Sequence, residues 1–79
     1  MNDLEIARAE ALFCSDLQPS HTPSGDQVRD AVAYGLDWRG PQALAVRMAE
    51  EFGDHQEESA RRMRWCRRAV RAAFDTVDA

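Results

Sequence analysis

Apolar residues recur every three or four positions along four stretches of the chain, and this spacing predicts four amphipathic α-helices. The predicted helices cover residues 2–15, 23–36, 41–52 and 55–77. No stretch shows the strict alternation of apolar and polar residues that predicts a strand. We therefore expect an all-α protein, a compact bundle of about four helices with a long C-terminal helix, in which residues 1–79 form a single domain.

Capping and helix-breaking residues define the predicted boundaries. Thr22 is placed to cap the second helix, with Pro23 at the first helical position, where its missing N–H costs nothing. Gly35 is placed to end that helix in the left-handed conformation, and a short loop is expected after it. Asp54 is placed to cap the fourth helix, with Glu57 three positions later, which is the spacing of a reciprocal capping box.

The fourth predicted helix divides into two faces. Its apolar residues, among them Met63, Cys66 and Val70, occupy roughly half of the circumference in a helical projection. The opposite face, a sector of about 120°, holds five arginines that we name the arginine stripe: Arg61, Arg64, Arg67, Arg68 and Arg71. A row of guanidinium groups on one face concentrates positive potential and suits phosphate groups or an acidic protein surface. We therefore predict a partner-binding surface with Trp65 at its edge, formed by Arg61, Arg64, Trp65, Arg68 and Arg71.

Local charge pairing keeps a purely structural role open for these arginines. Glu57 lies four residues before Arg61, and Glu58 lies four residues before Arg62, an orientation that favours ion pairs along a helix. The stripe is then either a solvated, internally paired face or a true binding surface. Arg62 differs from the stripe because it lies inside the apolar sector, where an aromatic ring or Glu58 would hold its guanidinium group.

The charges are separated along the chain. Residues 1–60 hold twelve acidic residues and four arginines, a charge of −8, and residues 61–79 hold six arginines and two acidic residues, a charge of +4. The net charge of −4 opposes the approach of nucleic acid, whose phosphates are negative. Ala49 and Gly53, the predicted end of the third helix, match a helix-turn-helix spacing, but the next apolar positions come one residue late. Nucleic acid is therefore possible as a partner but not favoured.

No pattern of residues indicates catalysis, a cofactor or a metal. A nucleophile paired with a base, or a glycine-rich phosphate loop, would indicate an enzyme, and the sequence contains neither. The candidate metal ligands are too far apart in sequence for a structural zinc site; they are Cys14, His21, His55 and Cys66. We expect a non-enzymatic protein without a cofactor, with both thiols reduced and Cys14, near a helix end, the more reactive of the two.

Segments spread from Ala11 to Val70 are similar to those of a known group of proteins. The most specific are EEFGDH at residues 50–55 and RMRW at residues 62–65. On these segments the chain resembles a group of short, uncharacterised all-helical proteins of actinobacteria. The resemblance implies an intracellular bacterial protein, in line with the fact that all ten basic residues are arginine. It implies no activity and no site residue.

These patterns together indicate a small helical interaction or regulatory module. The chain has no apolar run long enough for a membrane span, and its N-terminal residues include Asp3 and Glu5 where a secretory signal is basic, so we expect a cytoplasmic protein. We expect the partner to be another protein or a second copy of the chain, because so short a chain gains stability from association. It is expected to bind the face around Trp65 and the apolar sector of the fourth helix, while the arginines set orientation and association rate. The alternative is a nucleic-acid-associated regulator that uses the arginine-rich C-terminal helix.

Overall fold

The computed structural model describes residues 2–75, and every regular element in this range is helical. The four α-helices are α1 Asp3–Phe13, α2 Gly25–Tyr34, α3 Gly40–Asp54 and α4 Gln56–Asp75, with a 3₁₀ turn at Pro19–His21 and a π-helical segment at Gly35–Arg39. The radius of gyration is 11.8 Å, close to the roughly 11.6 Å of a compact chain of this length. The predicted all-α bundle with a long last helix is therefore confirmed. The predicted end of that helix, at residue 77, lies outside the described residues.

Helix α4 lies at the centre of the bundle, because each of the other three α-helices packs against it. α1 and α4 run antiparallel, since Arg8 lies over the ring of Phe74 at one end and Arg62 bonds to the carbonyl of Phe13 at the other. The apolar sector of α4 is expected from the sequence to bind a partner, but the fold buries most of it against the other helices. Its buried apolar side chains are Met63, Cys66, Val70 and Ala73.

The connection between α2 and α3 corrects the sequence prediction. A loop is predicted there with Gly35 in the left-handed conformation, but Gly35 has φ −62° and ψ −44° and the chain continues as a π-helical segment. Space is what requires glycine at this position, because a Cβ atom on Gly35 would lie 2.8 Å from the Cβ of Ala11. The positive φ falls instead at Gly40, the first residue of α3, where it is +81°.

The cap of α2 is also shifted from its predicted position. Ser24 Oγ accepts a hydrogen bond from the Gln27 N–H at 3.2 Å, and Gln27 Oε1 accepts one from the Ser24 N–H at 2.8 Å. This reciprocal pair is a capping box, and Ser24 rather than Thr22 is the cap. Thr22 follows the 3₁₀ turn with a left-handed φ of 43°, so Pro23 precedes the helix instead of opening it.

The junction between α3 and α4 is shorter than predicted. α3 continues through Gly53 and Asp54, so Gly53 does not end it and Asp54 does not cap α4. His55 alone separates the two helices; its N–H donates to the Glu51 carbonyl at 2.8 Å, and its own carbonyl accepts from the Ser59 N–H at 2.9 Å. The hydroxyl of the buried Ser59 donates to the same Glu51 carbonyl at 3.1 Å. These bonds satisfy backbone groups at both helix ends.

Candidate functional site

The arginine stripe forms one solvent-facing side of α4. Its five side chains are all exposed. Arg61 and Arg71 are ten positions apart, which is about 15 Å along the helix. On the opposite side, Met63, Cys66 and Val70 are buried in the core, so α4 has no freedom to rotate the stripe inward. The structure therefore brings all the predicted arginines to a single open face.

The guanidinium groups of the stripe have no partner within residues 2–75. The ion pairs in this range join Arg29 to Asp26 and Arg47 to Glu51, on α2 and α3. Glu57, which the sequence suggested as a local partner, is exposed and forms no ion pair with the stripe in the described chain. Within this part of the chain the stripe is therefore not internally paired, and its five positive charges face solvent.

Arg62 has a different environment from the stripe. Its Nε donates to the Phe13 carbonyl at 3.0 Å, and Nη2 donates to the carbonyls of Leu12 at 3.3 Å and Ser15 at 3.0 Å. Nη1 donates to Gln18 Oε1 at 3.3 Å. One guanidinium group thus supplies a donor to the carbonyls of Phe13 and Ser15 at the end of α1 and adds a bond to the Leu12 carbonyl, which Ser15 already bonds. Its charge is favourable at that end of the helix dipole.

Trp65, the aromatic residue of the predicted surface, is partly buried and packs against the core. The Cζ atom of Arg62 lies 5.6 Å from the Trp65 ring centre and 5.4 Å from that of Phe13. The predicted aromatic contact of Arg62 is therefore confirmed, while Glu58, the other predicted partner, does not bond to it within the described chain. Most of the Trp65 ring is used by the fold, so the arginines provide most of the open surface.

A second exposed surface was not predicted from the sequence. Tyr34 is 59% exposed and Trp38 is 79% exposed, and their rings stack with centres 6.3 Å apart. Asp30 and Asp37, at neighbouring positions of the same helical run, are exposed as well. We name this set the acidic aromatic face: Asp30, Tyr34, Asp37 and Trp38. Positions 30, 34, 37 and 38 have the spacing of one helix face. This face was not predicted because a loop was expected after Gly35.

Two surface clefts are small. One, of about 280 Å³, lies between the end of α1 and the α3–α4 junction, and its lining includes Arg47, Glu51 and Arg62. Another, of about 180 Å³, is lined by apolar side chains that include Met48 and Phe52. Both are below the roughly 300–1,000 Å³ of typical small-molecule sites. In the larger cleft the guanidinium groups of Arg47 and Arg62 are already bonded to protein oxygens.

The candidate metal ligands of the sequence do not come together. Residues 2–75 contain no group of three or more His, Cys, Asp or Glu side chains placed to hold a metal ion. Cys14 and Cys66 are both free and buried, and burial raises the pKa of each thiol, that of Cys66 to about 12. Such thiols are protonated at neutral pH and are poor nucleophiles. The expectation of a non-enzymatic protein stays a prediction.

No model of a protein family, no curated protein and no solved structure matches this chain. Every helix in the described range is too short or too polar to cross a bilayer. The fold and the surface together define a class, which is a small helical bundle with one basic helix face. The two surfaces of this chain are a stripe of five arginines on α4 and an acidic aromatic face on α2 and the π-helical segment.

Proposed function

We propose that this chain is a non-enzymatic interaction module of the cytoplasm whose arginine stripe binds an acidic surface of a protein partner. The observation that carries the proposal is that five exposed guanidinium groups share one side of α4 and form no ion pair or hydrogen bond within residues 2–75. Like charges three or four positions apart on a helix repel each other. Carboxylates supplied by a partner offset that repulsion.

The chemistry of arginine suits this role. Each guanidinium group is planar and always charged, and it binds a carboxylate through two parallel hydrogen bonds. The stripe is held on a helix whose other side is buried, so its positions are fixed before the partner arrives. Exposed charges at an interface act mainly on orientation and association rate, and Trp65 at the edge adds a partly buried ring.

Nucleic acid is the alternative partner, supported by the same five arginines. The net charge of −4 opposes it, because acidic residues elsewhere on so small a protein repel phosphates. The α3–α4 junction opposes it as well. A helix-turn-helix joins its helices by a turn of three or four residues, whereas His55 alone separates α3 from α4.

A triple variant, Arg64→Gln/Arg68→Gln/Arg71→Gln, tests the proposal. Wild type and variant are immobilised and incubated separately with a nuclease-treated bacterial lysate and with a labelled DNA duplex. We expect the wild type to retain an acidic protein. The triple variant should bind that protein about tenfold more weakly, which corresponds to a loss of about 1.4 kcal/mol of binding free energy. Arg39→Gln is the matched control, because Arg39 is exposed but lies away from α4.

The outcomes separate the candidate functions. Equal retention by wild type and triple variant would refute a role for the stripe in binding. Retention of the DNA duplex with a steep loss of affinity as salt rises, in place of an acidic protein, would favour the nucleic-acid alternative. Far-UV circular dichroism and thermal melting of each variant establish that a change in retention is not a change in folding.

A further inference from the structure

The chain exposes two surfaces of complementary chemistry. The arginine stripe on α4 is positively charged, and the acidic aromatic face on α2 and the π-helical segment combines two carboxylates with two exposed rings. Both are open to solvent. Neither forms an ion pair within residues 2–75, where the ion pairs involve other residues.

The acidic aromatic face contains the two most exposed aromatic side chains of the described chain. Trp38 is 79% exposed and Tyr34 is 59% exposed, higher than the core-lining aromatic residues Phe13 and Phe52, which stack inside the bundle. Exposed aromatic rings of this size are typical of interaction sites. Their position beside Asp30 and Asp37 specifies a partner that is cationic.

Arginine is the cation that matches both parts of this face. A guanidinium group stacks on the face of a Trp or Tyr ring, and it also binds a carboxylate through paired hydrogen bonds. From Asp30 to Trp38 the face extends over eight positions, about 12 Å at the helical rise. The stripe is about 15 Å long, so the two surfaces agree in length as well as in charge.

We propose that the arginine stripe of one chain binds the acidic aromatic face of a second copy of the same chain. This inference rests on the proposed function, because it names the partner of the stripe. The two surfaces cannot meet within one chain, since α2 and α4 pack through their buried sides, which include Val32 and Cys66. A chain this short also gains stability by association.

The contact joins two different surfaces, and each chain carries both of them. A two-fold arrangement closes as a dimer in which each stripe binds the other chain's face, whereas any other rotation leaves a free stripe and a free face and builds a ring or an open chain. Association in either form increases with the protein concentration. The assembly also weakens with salt, because exposed charges are screened over about 3 Å at 1 M salt and about 30 Å at 0.01 M.

Sedimentation velocity on the full chain tests this arrangement. The stripe variant is Arg64→Gln/Arg68→Gln/Arg71→Gln, and the face variant is Asp30→Arg/Asp37→Arg. We expect the wild type to form concentration-dependent oligomers at about 0.01 M salt and monomers at about 1 M. Each variant alone should sediment as a monomer at low salt, because each has lost one of the two surfaces.

Mixing the variants in equal amounts gives the sharpest result. The intact stripe of the face variant then meets the intact face of the stripe variant, and the altered surfaces at both ends stop further growth. The expected product is a 1:1 dimer and nothing larger. The matched control is Glu50→Arg/Asp54→Arg, which reverses two exposed acids of α3 four positions apart, gives the same net charge as the face variant, and should associate like the wild type.

Three results would overturn the inference: a wild type that is monomeric at low salt, a control that loses association as the face variant does, or a mixture that stays monomeric while both variants keep their helical spectra. A monomeric wild type that still retains an acidic protein through the stripe would refute self-association and leave the proposed function standing. A wild type that self-associates but retains no other protein from the lysate would show that the stripe binds only a second copy of the chain.

Discussion

Arg62 bonds to the backbone of Phe13 and lies against the side chain of the same residue. Its Nε donates to the Phe13 carbonyl at 3.0 Å, and its Cζ is 5.4 Å from the centre of the Phe13 ring. The contact joins the start of α4 to the end of α1 across 49 positions of sequence. One arginine of α4 is therefore part of the fold, while the five arginines of the stripe are not.

Replacing Arg62 should destabilise the protein. Arg62→Ala removes the donor of the Phe13 and Ser15 carbonyls at the end of α1, and hydrogen bonds to charged groups contribute about 1.5–3 kcal/mol. We expect the free energy of unfolding in urea to fall by about 2–3 kcal/mol, and Arg62→Lys to recover only part of it, because an ammonium group cannot reproduce the planar fork. Arg61→Ala, next to it but exposed, is the control and should change stability by less than about 0.5 kcal/mol. Equal effects at the two positions would contradict the capping role.

A methyl group at position 35 should be destabilising. A Cβ atom there would lie 2.8 Å from the Ala11 Cβ and 3.2 Å from its Cα, so α1 and the π-helical segment must separate. We expect Gly35→Ala to lower the free energy of unfolding by about 1–3 kcal/mol. Gly53→Ala is the matched control with the opposite sign, since Gly53 lies inside α3 and no atom lies within 4 Å of a Cβ placed there. It should stabilise by about 0.5–1 kcal/mol, and chemical denaturation of both variants measures the difference.

The two thiols should react in a defined order. Cys66 is 0% exposed and Cys14 is 5% exposed, and burial raises the pKa of Cys66 to about 12. Because the thiolate is the reactive form, native-state labelling should be slow at both sites and reach Cys14 first. Mass spectrometry of the labelled peptides over time gives the order. Faster labelling of Cys66 would mean that the middle of α4 opens more readily than the end of α1.

Stability should fall in alkaline solution because of Cys66. Burial, the largest cause, raises its pKa from 9.0 to about 12 in the folded chain, so the unfolded chain binds fewer protons above pH 9. Stability is then fully present below pH 9 and is lost as pH rises towards 12, by at most about 1.4 kcal/mol per pH unit. The urea midpoint of Cys66→Ala should fall less steeply over this range than that of the wild type. Parallel pH profiles would show that the thiol does not control the alkaline loss.

Neutralising the stripe should leave the fold intact. The triple variant Arg64→Gln/Arg68→Gln/Arg71→Gln removes exposed charges that have no partner within residues 2–75. It also relieves repulsion between arginines three or four positions apart, worth about 0.2–0.5 kcal/mol per pair. At a protein concentration low enough for the wild type to be monomeric, we expect an unchanged helical spectrum and an equal or slightly higher melting temperature. A clear loss of stability would mean that the stripe holds the acidic helices in place, contrary to the structure.

The sequence by itself determined the four helices, the buried side of α4 and the outward direction of the stripe. These features depend on the 3.6-residue period and on which residues prefer water, and both are local properties. The exposed positions of Arg64 and Arg68 and the buried position of Cys66 follow from that period alone. Most boundary errors lie within two residues, because helix ends depend on individual caps such as Ser24.

Only the tertiary structure decided how the helices meet. Glycine and proline signals around Gly35 and Pro41 are typical of a loop. The chain there is instead a π-helical segment that approaches Ala11 closely and places Trp38 beside Tyr34 on the surface. The partners of Arg62 lie about fifty positions away in sequence, beyond the reach of any helical projection. Local periodicity determines which side of a helix faces inward, whereas the close approach of two backbones and the satisfaction of distant carbonyls depend on packing in three dimensions.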